Sequence, residues 1–234
     1  MSAVVLVLVF AYIAVSVGLG VVASRRGIGT AEDYFLAGRS LGWWQLGLTL
    51  FATWMSTFAF IGSPGFYFKN GVTWYLPHAI LVVGSPMLLW FIGRHIWRIG
   101  RERGFVTPAD LLADFYGGTA VRLLVALVCL LALLPYCLIQ LMGIGKVLET
   151  ATGGDVPYWS GVLIATSGIG LYTLLGGVRA VVWTDIVQAV IFGALMLVGA
   201  GIAIVAAGGI ATGFEASVAA RPEAFAFDPS RAGS

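Results

Sequence analysis

A single carboxylate stands in an apolar stretch, where ionisable groups are costly. The segment GGVRAVVWTDIVQ at 176–188 places Asp185 at the start of an otherwise uncharged apolar run. An acidic group facing hydrocarbon usually faces a cavity, a partner or a cation, so the pattern indicates an ion pathway. Thr184 and Gln188 share one helical face, and Asp185 lies on the adjacent one. Two ordinary roles stay open: Asp185 caps the helix N-terminus, or it pairs with Arg179.

Hydroxyl side chains and helix breakers come together in a second apolar stretch. The segment FATWMSTFAFIGSPGF at 51–66 mixes Ser and Thr residues with Gly62, Pro64 and Gly65. This mixture predicts a helix that is broken at mid-membrane. Broken helices expose carbonyl and N–H groups, which coordinate cations and substrates in many secondary transporters. The alternative is a continuous helix whose small residues allow close packing.

The chain as a whole has the composition of a membrane protein. It is 59% hydrophobic and 10% charged, with a mean hydropathy of +0.96, whereas about a quarter of the residues in a soluble domain carry charge. Six apolar stretches are each long enough to cross a core that needs about 20 helical residues, and backbone groups in lipid must be satisfied within the segment. We therefore predict an all-α integral membrane protein with six transmembrane helices in a lipid bilayer. The stretches are residues 3–23, 43–67, 72–93, 119–147, 158–175 and 181–208.

Basic residues are divided unevenly between alternate loops. Lys and Arg accumulate on the cytoplasmic side of membrane proteins, and nine of the thirteen basic residues fall in one set of loops. That set is predicted to be cytoplasmic, so the N-terminus and residue 234 are predicted to be extracytoplasmic in a multi-pass protein of the cell membrane. The cytoplasmic set is Arg25, Arg26, Arg39, Arg94, Arg98, Arg101, Arg103, Arg122 and Arg179, and the other set is Lys69, Lys146, Arg221 and Arg231.

The motifs of soluble enzymes are missing from the sequence. It contains no P-loop, nucleophile elbow or dinucleotide fingerprint and no His/Cys/Asp cluster with metal-ligand spacing. Its net charge of +2 is small, which gives no reason to expect nucleic acid as a partner. The sequence therefore favours a protein that is not an enzyme and holds no organic cofactor.

Three segments of the chain resemble the sodium:solute symporter family, which contains the sodium/glucose, sodium/proline, pantothenate and monocarboxylate cotransporters. The segments are DYFLAGRSLGWW at 33–44, TPADLLADFYGG at 107–118 and the highly specific YTLLGGVRAVVWTDIVQ at 172–188. The family has the leucine-transporter-type fold, in which a leading helix is followed by a five-helix repeat and a second, inverted five-helix repeat. This chain resembles the leading helix and the first repeat.

The resemblance also implies a domain division. Residues 1–208 are expected to form the transmembrane transporter domain, with the leading helix at 3–23 and the first repeat at 43–208. Residues 209–234 are then an extracytoplasmic polar tail or a truncated loop.

A sodium site and its pathway are implied by the same resemblance. In the family, Na⁺ is held between backbone carbonyls at the break of the first repeat helix and side-chain hydroxyls from the second repeat. The match places Ala52 and Met55 at the carbonyl positions, and such oxygens suit a hard cation. It places Asp185 at the acidic position of the inner sodium pathway. Na⁺ is therefore the expected coupling ion, and the expected activity is sodium-coupled symport of a small organic solute.

The expected solute site lies at the same break. Sugar transporters of the family carry polar side chains near positions 58 and 59, where this chain has Phe58 and Ala59, so sugar hydroxyls would find few partners. The freed N–H groups of a broken helix suit a carboxylate, which favours an organic acid or amino acid over a sugar. The substrate-binding candidates are Thr53, Trp54, Ser56, Thr57, Phe58 and Ala59.

The second repeat and its hydroxyl ligands lie outside this sequence. On the resemblance, the chain alone cannot close the sodium site and needs a second repeat as its partner. It is a fragment of a longer protein, a truncated gene product or one half of a complex. Two other functions stay open: the membrane sensor domain of a signalling protein such as a transporter-like histidine kinase, and a half-transporter that does not transport.

Overall fold

The computed structural model describes residues 2–25 and 30–228, and all the regular structure in that part of the chain is helical. Arg26, Arg231 and residue 234, which contribute to the predicted orientation, lie outside the described residues. Short turns of other helix types occupy Ala37–Arg39, Phe58–Gly62 and Pro222–Ala224. The α-helices are α1 (Ser2–Ser24), α2 (Ala31–Leu36), α3 (Trp43–Trp54), α4 (Ser63–Asn70), α5 (Val72–Arg103), α6 (Pro108–Tyr116), α7 (Thr119–Ala151), α8 (Tyr158–Ala206) and α9 (Ile210–Ala220).

The long helices have the length and apolarity of membrane spans. Among the described residues, α1, α5, α7 and α8 are each long and apolar enough to cross a bilayer, and the interrupted pair α3 and α4 counts as a fifth span. Their large apolar side chains are widely exposed; Leu130 and Leu131 of α7, for example, expose 57% and 56% of their surface. Faces of this kind require an apolar surrounding. The chain is therefore a multi-pass membrane protein.

The predicted fifth and sixth spans form one helix with a break. Residues 158–175 and most of 181–208 belong to the 49-residue helix α8, which has non-helical backbone angles at Gly177. A straight helix of that length would measure about 74 Å, whereas the hydrocarbon core is about 30 Å thick. The number of six spans stays a prediction, and Gly177 is where we place the division.

Two compact units make up the chain. The first comprises Met1–Phe58 and Val106–Ile191, and the second comprises Ala59–Phe105 and Phe192–Ser234. In the first unit, α1 lies directly against α8, since a Cβ atom on Gly20 would lie 3.0 Å from the Cβ atom of Tyr172. Glycine permits such close approach of membrane helices.

The break in α8 is held by the segment that precedes α3. Gly177 has φ 55° and ψ −154°, and a Cβ atom there would lie 2.6 Å from the carbonyl oxygen of Tyr34. The Tyr34 hydroxyl donates a hydrogen bond of 3.1 Å to the carbonyl of Thr173. On the other side of the break, Arg179 donates through Nη2 to the carbonyl of Ala37 at 3.1 Å. Residues 34 and 37 thus clamp the chain before and after the break.

In the second unit, the chain after α9 covers the turn between α4 and α5. Arg221 donates through Nη1 to the carbonyl of Phe68 at 2.6 Å, and its guanidinium carbon lies 4.5 Å from the centre of the Phe68 ring. The backbone N–H of Asp228 donates to the fully buried hydroxyl of Thr73 at 2.9 Å. Arg221 and the backbone of Asp228 therefore contact this turn. The role of residues 209–234 as an extracytoplasmic tail or loop stays a prediction.

The segment TPADLLADFYGG at 107–118 predicts a short helix with Thr107 as its N-cap and with Gly117 and Gly118 at its end, and α6 has these bounds. Thr107 is its N-cap and accepts a hydrogen bond from the N–H of Asp110, whose carboxylate accepts from the N–H of Thr107 at 2.9 Å. This reciprocal arrangement is a capping box. Pro108 occupies the first helical position, and Gly117 ends the helix.

Replacing Gly177 with alanine tests the break in α8. The new methyl group would meet both unfavourable backbone angles and the carbonyl of Tyr34, so we expect the free energy of unfolding to fall by about 1–3 kcal/mol. The measurement is thermal unfolding of the purified protein in detergent. The control is Gly193→Ala on the same helix, where a Cβ atom meets no heavy atom within 4 Å. Equal melting temperatures for the two variants would show that α8 has no break at Gly177 that requires glycine.

The capping box predicts a dependence on acid pH. The backbone N–H of Thr107 lowers the pKa of Asp110, against a smaller opposing effect of burial, and Arg122 at 3.4 Å adds to the lowering. The ionised carboxylate of Asp110 therefore stabilises the folded protein fully above the ordinary aspartate pKa of about 3.9, and this stabilisation is lost as pH falls below that value. We expect Asp110→Ala to have a lower melting temperature than the parent protein at pH 7. The difference in melting temperature should become smaller below about pH 4. A difference that stays constant across this range would show that the charge of the carboxylate is not its cause.

Candidate functional site

The helix that begins at Trp43 is interrupted at residues 55–57. Helix α3 ends at Trp54, and Met55 has φ −80° and ψ 68°. The N–H of Met55 turns back to the carbonyl of Ala52 at 3.0 Å, and the N–H of Ser56 turns back to the carbonyl of Trp54 at 2.9 Å. These short turns replace the regular helical hydrogen bonds. The predicted break is confirmed, and the continuous helix is wrong.

The end of α3 provides an environment suited to a cation. The last carbonyls of a helix carry the negative end of the helix dipole and lack the regular helical partner one turn further along. Within the part of the chain that the structure describes, the carbonyl of Ala52 accepts only the N–H of Met55, and its second lone pair can accept a cation. Ala52 lies in this last turn and is 7% exposed, and Met55 follows directly and is half-buried. Backbone carbonyls are hard oxygen ligands of the kind that suit Na⁺. The geometry is compatible with ligation, while the role of these two residues as ligands stays a prediction.

The predicted substrate residues surround the same interruption. Thr53 ends α3 together with Trp54, both side chains are exposed, and the Thr53 hydroxyl donates to the carbonyl of Thr49 at 2.8 Å. The remaining four are half-buried and continue directly along the chain. Ser56 and Thr57 lie in the interruption, and Phe58 and Ala59 begin the turn of wider helix at Phe58–Gly62.

Gln140 of α7 also contacts this site, and the sequence does not predict that contact. The N–H of Thr57 donates to Oε1 of Gln140 on α7 at 2.9 Å, across 83 positions of the chain. One turn further along α7, a Cβ atom on Gly143 would lie only 1.9 Å from Cγ2 of Thr57. The signal in the sequence was a lone amide within an apolar span, but it does not reveal the partner.

One polar side chain near Asp185, that of Gln188, contacts α1. Gln188 donates through Nε2 to the hydroxyl of Tyr12. Thr184 is 1% exposed, and its hydroxyl donates to the carbonyl of Val181 at 2.8 Å. Asp185 is half-buried and lies between them along the helix. The carboxylate therefore lies on α8 beside two residues whose polar groups bond to Val181 and Tyr12.

Neither ordinary role of Asp185 appears in the structure. Asp185 lies two turns beyond the break at Gly177, inside α8, so it does not cap a helix. Within the described residues it forms no ion pair with Arg179, which instead donates to the carbonyl of Ala37. A carboxylate in an apolar helix that has neither role is the setting in which an ion pathway is expected.

Comparison with known proteins gives one consistent result. The model of the family described as "Sodium:solute symporter family" matches residues 34–232. The chain is 36% identical over 206 residues to a sodium/pantothenate symporter of Escherichia coli and 32% identical over 167 residues to one of Haemophilus influenzae. It is also 32% identical over 191 residues to a sodium/glucose cotransporter of Vibrio parahaemolyticus.

These similarities cover most of this chain and a smaller part of each relative. They span 86%, 70% and 78% of the chain, but 41%, 34% and 33% of the respective relatives. No solved structure matches the chain. The relatives are transporters and not enzymes.

Proposed function

The chain belongs to the sodium:solute symporter family, and on that premise we propose that it supplies the N-terminal half of a sodium-coupled symporter for a small organic solute. The observation that carries this proposal is the helix interrupted at Met55–Thr57. It brings backbone carbonyls into an apolar span, where they can bind a cation. The N–H groups of residues 55–57 already donate to protein acceptors, so hydroxyl side chains are left to meet the solute.

Sodium is proposed to bind at the end of α3. The carbonyls of Ala52 and Met55 supply oxygens at the negative end of the helix dipole. The remaining ligands are proposed to be hydroxyls from a second, inverted repeat that follows the leucine-transporter-type first repeat. Because two carbonyls leave most of the coordination sphere of a hard cation open, sodium binding would join the two repeats.

The solute is proposed to be an organic acid or amino acid. Its carboxylate would accept hydrogen bonds from polar groups at the interruption, such as the hydroxyls of Ser56 and Thr57. The apolar side chains of Phe58 and Ala59 offer sugar hydroxyls few partners. The names of two relatives, sodium/pantothenate symporters, support an organic anion, since pantothenate carries a carboxylate.

Coupling follows if both ligands stabilise one conformation. Sodium at the interruption is proposed to favour a state open to the outside, and solute then binds beside it before both are released inward. Each ligand raises the affinity for the other because both favour the same state. In this scheme the N-terminus lies outside, and Asp185 attracts Na⁺ on its way to the cytoplasm.

Uptake by the complete gene product tests the proposed function. We expect uptake of an organic acid or amino acid that depends on sodium, because the cation completes the site beside the solute. The measurement is uptake of labelled carboxylates, amino acids and sugars by cells or proteoliposomes, with sodium replaced by potassium as the control. Uptake that is unchanged when potassium replaces sodium would contradict the proposed sodium coupling.

Asp185→Asn tests the proposed pathway. The substitution removes the charge and keeps the shape, so we expect the half-saturating sodium concentration to rise about tenfold, equivalent to about 1.4 kcal/mol. The control is Asp155→Asn, which removes a carboxylate from the turn between α7 and α8 and should leave uptake unchanged. An Asp185→Asn variant with the sodium dependence of the parent would exclude Asp185 from the pathway.

A further inference from the structure

The interruption at Met55–Thr57 leaves three successive N–H groups that the helix does not satisfy in its usual way. Met55 and Ser56 direct theirs back to carbonyls of α3. Thr57 directs its N–H to the side chain of Gln140 on α7. A peptide N–H without a partner in an apolar environment is costly, so the third group makes the local conformation depend on another helix.

The contact surface on α7 is shaped for Thr57. Gln140 and Gly143, three residues apart on α7, form what we term the Thr57 seat. A Cβ atom on Gly143 would lie 1.9 Å from Cγ2 and 2.8 Å from Cβ of Thr57, which leaves no space for a side chain. The backbone of α7 therefore lies directly against Thr57. This close approach brings the side-chain oxygen Oε1 of Gln140 to 2.9 Å from the backbone nitrogen of Thr57.

The chemistry of the amide suits this position. Gln140 supplies an acceptor without a charge, whereas a carboxylate would introduce an ion into an apolar helix at considerable cost. Thr57, which the seat holds, lies close in sequence to the candidate sodium ligands. Ala52 and Met55 are separated from Thr57 by only a few residues, so a hydrogen bond that fixes Thr57 limits how the carbonyls before it can turn.

We propose that Gln140 is a positioning residue for sodium binding, which acts by holding the N–H of Thr57 and so fixing the turn that presents the carbonyls of Ala52 and Met55. The effect of Gln140 on sodium binding rests on the proposed function. The hydrogen bond between Gln140 and Thr57 is independent of the proposed function and can be tested separately. Gln140 touches the backbone of the broken helix and is assigned no contact with the ion or the solute.

Hydrogen–deuterium exchange tests whether Gln140 holds the interruption. In Gln140→Leu, which keeps the approximate size of the side chain and removes the acceptor, the peptide containing residues 55–57 should exchange about tenfold faster, corresponding to the loss of one hydrogen bond. Gln140→Asn keeps a neutral amide acceptor on a shorter side chain and should retain more of the protection than Gln140→Leu. The control is Cys137→Ala, one turn away on α7 and exposed, which should exchange like the parent. Equal exchange in Gln140→Leu and the parent would overturn the inference.

Uptake kinetics test whether this positioning matters for sodium. Gln140→Leu should raise the half-saturating sodium concentration about tenfold at an unchanged amount of protein in the membrane, and Gln140→Asn should stay closer to the parent. Reduced maximal uptake with an unchanged half-saturating sodium concentration would assign Gln140 to folding alone and overturn its role in sodium binding. Sodium-independent uptake by the parent would instead overturn the proposed function, and the exchange experiment would then decide whether Gln140 holds the break.

Discussion

The structure depends on satisfying every backbone polar group where water is scarce. A regular helix does this within itself, and an interrupted helix cannot. At Met55–Thr57 two N–H groups turn back to α3 and the third is received by Gln140. The interruption can therefore exist only where α7 lies beside it, so the candidate sodium and solute site depends on the packing of a helix that supplies no predicted ligand.

Close approach between helices also helps to satisfy polar groups. Gly143 allows α7 to contact Thr57, and Gly20 allows α1 to contact α8 at Tyr172. Lipid offers little hydrophobic drive for helices to associate, so membrane helices gain mainly from tight packing and from hydrogen bonds between them. The glycines therefore place polar groups within reach of each other, as with Gln140 and Thr57 at the interruption.

Local signals in the sequence predicted local structure well. Thr107 and Pro108 predicted the start of α6, and the mixture of hydroxyl side chains with glycine and proline at 51–66 predicted an interrupted helix. The interruption lies at residues 55–57, before Gly62 and Pro64, which did not mark its position. The partners of these elements could not be predicted, because the hydrogen bonds from Thr57 to Gln140 and from Arg179 to Ala37 span 83 and 142 positions. Such pairs are set by helix packing, which local sequence patterns do not reveal. The pathway role of Asp185 stays a prediction, although the hydrogen bond of Arg179 to a carbonyl shows that Arg179 has another partner.

The central claim is that the interruption at Met55–Thr57 responds to sodium. The most direct measurement places a cysteine at Ser56 in the complete gene product after Cys129 and Cys137 are replaced by alanine, and follows its reaction with a thiol reagent that does not cross the membrane. Sodium is expected to accelerate labelling from the outside, potassium is expected to have no such effect, and bound solute is expected to slow the reaction. Equal labelling rates in sodium and potassium would show that the interruption does not respond to sodium.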